Sequence, residues 1–176
     1  MRGLLVRLGV VALALCTGCA SGAKPEAMIA QLNLPIHKSS SDVFVFVMGG
    51  KATSAMTASQ IADEDFAQAL RQSIEQSGLF RQARTEGQAK YQLQAFIVQV
   101  NQPMFGASIT VSMEVNYTLA RVEPKQVIWQ KAVFSSYTAP WNDAFAAVTR
   151  LRHANEGAAR QNIERAIQDM SQLKLE

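Results

Sequence analysis

From Ser108 to Leu119 the chain alternates without a break. Ile109, Val111, Met113, Val115, Tyr117 and Leu119 are apolar, while Ser108, Thr110, Ser112, Glu114, Asn116 and Thr118 are polar. Only an extended strand sends every second side chain to the same side. The run therefore predicts a strand in a sheet with one dry face and one open face. Its surroundings fit such a sheet. Tyr91, Leu93, Ala95 and Ile97 alternate with Gln92 and Gln94, and the phase then slips to Phe96, Val98 and Val100. A slip of that kind predicts a bulge or a doubly covered strand end. Glu123-Pro124-Lys125 reads as a turn, with Val127 to Tyr137 returning as the last strand. Upstream, Val43 to Met48 is a continuous apolar run closed by Gly49-Gly50. Its length and β-branching predict a strand, and its lack of alternation predicts cover on both faces.

Two helices are expected against this sheet. Asp63 is placed as the N-cap of the first, with Glu64 and Asp65 in its first turn and Phe66, Leu70 and Ile74 as its apolar stripe. Gly78 is its expected stop, and Leu79-Phe80 the expected start of a short edge strand. The second helix is expected after Pro140, capped by Asn142 or Asp143. Phe145, Val148, Leu151, Ile163, Ile167, Met170 and Leu173 supply its apolar side. Arg152, Glu156, Arg160 and Glu164 form an i+4 ladder of alternating charge, expected on a solvated face. Some thirty helical residues would span roughly 45–50 Å, so this helix is expected to overhang the sheet, bend or break, with Gly157 as its weak point. The fold class is α+β: a mainly antiparallel sheet of four or five strands with two helices on one face, in the order β-α-β-β-β-α.

The N-terminus sets the address. Arg2 and Arg7 precede an apolar run from Leu8 to Leu15, too short for a permanent membrane span. Small residues follow around Cys19. The string Leu15-Cys16-Thr17-Gly18-Cys19-Ala20-Ser21 resembles a lipobox, the cleavage signal of bacterial lipoproteins, with Cys16 standing where Leu is usual. That resemblance implies cleavage before Cys19 and its lipidation. A plain secretory cut after Ala23 and a retained buried helix are the rivals. Two or three acyl chains on one cysteine make a stable anchor. Ala20, rather than Asp, follows Cys19, and by the same resemblance this implies the periplasmic face of the outer membrane. The domain plan is a leader over 1–18, a lipidated N-terminus and tether over 19–41, and a periplasmic domain over 42–176. Within that tether, Met28 to Ile36 has the alternative of docking on the domain.

Composition closes several routes. Of 17 basic residues, Arg2 and Arg7 lie in the leader, leaving 15 against 14 acidic ones. With no basic patch interleaved with aromatics, nucleic acid is not an expected partner. Both cysteines, Cys16 and Cys19, lie near the start, so the remainder offers no disulfide, thiol nucleophile or cysteine metal site. Gly49-Gly50-Lys51 follows a strand as a phosphate loop would, yet Ala52 stands where Ser or Thr is needed. His37 and Asp42 share the His-x4-Asp spacing of glycerolipid acyltransferases, with no further motif of that family. His153 has no second His or Cys for metal binding and reads as a solvated helix residue. Asp63, Glu64 and Asp65 read as helix-start charge. Trp141 is the best candidate for an exposed aromatic, with core anchoring as the preferred reading. No cofactor and no catalytic residue is assigned.

A surface remains. Gln92, Gln94, Ser108, Thr110, Ser112, Asn116 and Thr118 line the open face with one charge, Glu114. A plainly solvated face is the preferred reading of these residues. A neutral amide and hydroxyl surface is, however, cheaper to dehydrate than a charged one, so these eight residues form the candidate partner surface.

Residues 42–174 resemble two groups of envelope lipoproteins. Gly78-Leu79-Phe80, Lys90-Tyr91-Gln92-Leu93-Gln94-Ala95 and Val127-Ile128-Trp129-Gln130-Lys131 are similar to patterns of the auxiliary lipoproteins of ABC-type lipid-transport systems. The element order is also similar to the lipopolysaccharide-assembly lipoprotein that plugs an outer-membrane barrel. The resemblance implies a non-enzymatic accessory lipoprotein with an envelope protein partner. A lipid- or glycan-binding module and a hydrolase are the alternatives. The second is disfavoured by the absence of a nucleophile–base pair.

Overall fold

A computed structural model describes residues 21–32, 39–54, 58–103 and 106–175. The leader, Cys16, Cys19, His37 and residues 33–36 of the apolar stretch Met28 to Ile36 lie outside the described residues. The elements run α1 (Pro25–Met28), β1 (Val43–Met48), α2 (Asp63–Ser77), β2 (Ala83–Arg84), β3 (Tyr91–Asn101), β4 (Ile109–Arg121), β5 (Gln126–Ala139) and α3 (Ala147–Met170). They build one five-stranded sheet in the order β2-β1-β3-β4-β5. β1 pairs in parallel with β2 and β3, whereas β3, β4 and β5 are antiparallel. A parallel neighbour requires a crossover, and α2 supplies the one between β1 and β3. The expected α+β class and five-stranded sheet hold, with a short third helix added.

The core lies between the sheet and the helices. Val43, Val45, Tyr91, Leu93, Ala95, Ile97 and the Ile109-to-Leu119 set are buried there against Phe66, Leu70, Ile74, Ile163 and Ile167. The alternation of β4 thus reads as burial. The phase slip in β3 is a bulge between Ile97 and Gln99. Gly78 ends α2 in the left-handed region, φ 70°.

Several expectations are corrected. Asp63 is the first residue of α2 rather than its cap, and Ala62 holds that position. Its Oδ1 instead accepts from the Gly50 amide at 2.6 Å, which ties the β1–α2 loop to the helix start. Leu79 and Phe80 are buried, and the edge strand begins only at Ala83. Neither Asn142 nor Asp143 caps α3, which starts at Ala147 with Ala146 as cap. Its 24 residues span roughly 36 Å at 1.5 Å per residue, so it does not overhang the 14-residue β5. Gly157 is not a weak point. It is buried, and its Cα faces the Tyr137 ring, letting α3 settle closely on β5.

The charge ladder of α3 is also not solvated. Residues 21–32, which fall in the expected tether, lie across α2 and α3 with Ala23, Met28 and Ala30 buried. Glu156 is buried under them and accepts from the Lys24 amide at 3.0 Å. Arg152 Nη1 donates to Ser21 Oγ at 2.6 Å, and Arg160 Nη1 to the Ala27 carbonyl at 3.1 Å. The Ala23 and Ala30 amides donate to Gln60 and Ser73. This strap gives the helices' outer side its cover.

Candidate docking face of the sheet

Among the described residues, all helices pack on one side of the sheet and the other side is open. The register assigns its rows. Phe46 stands beside Gln94, Thr118 and Gln130, and Met48 beside Phe96, Asn116 and Ala132. Gln99, Glu114 and Phe134 form the next row, then Asn101, Ser112 and Ser136, then Thr110 and Thr138. Seven of the eight expected surface residues therefore share this face. Ser108 is exposed just before β4 begins. Among these row positions Glu114 is the one charged side chain, and it accepts from Gln99 Nε2 at 3.2 Å. The hydroxyls of Thr110 and Thr138 bond each other at 2.8 Å.

Half of the face escaped the sequence reading. Phe44 and Phe46 are only half-buried, with ring centroids 6.1 Å apart, while Met48, Phe96, Val98 and Phe134 are exposed. The doubly apolar β1 is thus covered on one face, not two. The run Val43 to Met48 carried that signal, but sequence alone does not say what covers its second side. The face is a mixture of aromatic and neutral polar groups, cheap to dehydrate and rich in apolar area. A hollow of about 330 Å³ opens beside Glu114 and Phe134, rimmed by Gln99, Ser112, Ser136 and Arg165.

A second, larger groove of about 680 Å³ leaves the same face at the start of β1, lined by Asp42, Phe44, Arg81, Lys90, Gln92 and Val122. Asp42 is its most constrained group. Its buried carboxylate accepts from Arg81 Nε at 2.8 Å and Arg84 Nε at 2.6 Å. The Arg81 hydrogen bond, opposed by burial and reinforced by Arg84, holds the Asp42 carboxyl below its ordinary range. The nearby Tyr91 and Val43 amides close the strand starts by bonding Asp42 and Gln82 carbonyls.

The other singled-out residues fall elsewhere. His153 Nδ1 meets Asp143 Oδ2 at 2.7 Å, while its Nε2 meets Arg152 at 3.5 Å. That nitrogen faces a cation rather than a hydroxyl to activate. No cluster of three or more potential metal ligands occurs among the described residues. No described helix is long and apolar enough to cross a membrane. Trp141 is not a core anchor: it stands 70% exposed, and Phe145, expected on the apolar side of α3, is fully exposed.

No protein-family model and no curated protein matches the chain. Solved structures share its fold. A Xanthomonas campestris protein of family DUF330 superposes at TM-score 0.61 and 10% identity, covering 84% of this chain and 91% of that one. A Caulobacter crescentus protein described as a candidate lipoprotein gives 0.50 at 14% identity, over 73% and 87%. The PelC dodecamer of Paraburkholderia phytofirmans gives 0.51 at 14% identity, over 82% and 95%. At these identities the likeness is one of fold.

Proposed function

We propose that the chain is a non-enzymatic lipoprotein of the bacterial envelope, anchored in the outer membrane through Cys19, which holds a protein partner of a transport or assembly complex on the open face of its sheet. The observation that carries this reading is the patch of half-buried Phe46 and exposed Met48, Phe96 and Phe134 set among neutral amides and hydroxyls. A sheet face meant only for water has little reason to hold that much apolar area beside so few charges. A solved structure of the same fold described as a candidate lipoprotein supports the anchored envelope setting. The test is crosslinking in intact cells. Ser112→Lys with Asn116→Lys places two ammonium groups on the face, which would lose hydration against a partner and weaken docking by several kcal/mol. Crosslinked partner is expected to disappear while the melting temperature holds. Unchanged crosslinking at unchanged melting refutes the docking face.

Self-assembly is the second reading. β5 is an edge strand of 14 residues without an internal proline, and such an edge is a template for another strand. The PelC neighbour is a dodecamer. Light scattering of the purified chain separates the two readings, because a monomer at micromolar concentration leaves only the heterologous partner.

A further inference from the structure

Trp141 and Phe145 are the most exposed large apolar side chains among the described residues, at 70% and 105%. Both stand in the seven-residue span, 140–146, that leads from β5 to α3. From Pro140 to Val148 the chain carries one charge, Asp143, and its carboxylate is taken up by His153. The loop is therefore apolar, nearly uncharged and uncovered. Arg150 fixes its backbone from behind, Nη1 bonding the Ala144 and Phe145 carbonyls at 2.7 and 3.0 Å.

The N-terminal strap enters at the same pole. Ser21 is bonded by Arg152, Arg152 lies 3.5 Å from His153, and His153 holds Asp143 of the loop. Three side chains thus bridge the first described residue to the aromatic loop. Cys19 precedes Ser21 by two residues, and two residues of chain reach at most about 7 Å. Because Ser21 and Ala23 are fixed on the body, an acylated Cys19 leaves this pole no freedom to stand away from the bilayer.

We propose that this pole seats on the phospholipid surface, with Trp141 and Phe145 entering the headgroup level beside the lipidated N-terminus. The inference rests on the lipid-anchor reading of Cys19. Tryptophan suits that depth, because its ring is apolar at one end and hydrogen-bonding at the other. Side chains and acyl chains then act as two membrane signals on one rigid end. With the ends of β1 and β5 at this pole, the strands lead away from the bilayer, and the open sheet face looks sideways, clear for a protein partner.

The test reads Trp141 directly. The lipidated full chain is reconstituted into phosphatidylethanolamine–phosphatidylglycerol vesicles with or without brominated acyl chains. The difference between the unaltered chain and Trp141→Phe isolates the Trp141 signal without disturbing Trp129. Loss of that emission in brominated vesicles is expected. Co-flotation with unquenched Trp141 overturns the seating while leaving the anchor intact. Failure to float overturns both. A photocrosslinker placed at Phe145 in cells is expected to capture lipid, and a discrete protein adduct there would assign the loop to a protein instead.

Discussion

At the scale of single residues, Asp42 shows how one carboxylate organises an edge. It sits at the threshold of β1, where the apolar run begins, and two arginines from the β2 segment converge on it through their Nε atoms. Its carboxyl is held low chiefly by the Arg81 hydrogen bond. A group whose folded pKa lies below its unfolded value of about 3.9 stabilises the fold fully above that value, and the contribution fades as pH falls through the folded value. The loss therefore falls on the acid side, below about pH 4. Arg81 is largely and Arg84 partly open to water, which screens the pair. Asp42→Asn is accordingly expected to lower the melting temperature at neutral pH by only a few degrees. The difference should shrink as pH falls below about 4, as the native carboxyl takes up its proton. Melting profiles against pH check this, and parallel curves at all pH values would refute the assignment.

Between elements, the closest fit is that of α3 on β5. Gly157 has no Cβ, and a methyl group there would fall inside van der Waals contact with Cγ and Cδ1 of Tyr137. Those atoms sit near the backbone end of the ring and have little room to swing away. Alanine gains about 1 kcal/mol of helix propensity over glycine, whereas overpacking a close contact costs about 1–3 kcal/mol. The clash is expected to win, so Gly157→Ala should destabilise by about 1 kcal/mol or more. In a Tyr137→Leu background the same change should turn neutral or stabilising, and a double-mutant cycle of denaturant melts reads the reversal. The same contact marks what a sequence does not carry. β4 was legible because Met113 meets a dry core and Thr110 meets water, so period and burial coincide. Gly157 looked weak because propensity registers its missing side chain and not the ring opposite. Asp143 looked like a cap because its bond to His153, ten residues on, is tertiary. The ladder reads as solvated because the partners of Arg152, Glu156 and Arg160 are Ser21, Lys24 and Ala27, more than a hundred residues away. The polar half of the candidate docking face follows from alternation, while its aromatic half requires knowing that no described helix covers that side.

For the whole molecule, the strap changes what the proposed anchor at Cys19 would do. A free tether over 19–41 would let the domain diffuse well away from the bilayer. Instead, the chain joins the body by Ser21, and burial begins at Ala23. The fold and the anchor are nonetheless separable, since every strap contact described above starts at or after Ser21. Cys19→Ser should therefore remove the chain from the outer-membrane fraction, leaving an uncleaved or soluble species. It should leave the melting temperature of the folded domain unchanged, because no core group is lost. Fractionation of cells alongside thermal melts of the purified protein checks both halves. A variant that still fractionates with the outer membrane would end the lipid-anchor reading. One that leaves the membrane and also melts earlier would show instead that the strap depends on its lipid to stay in place.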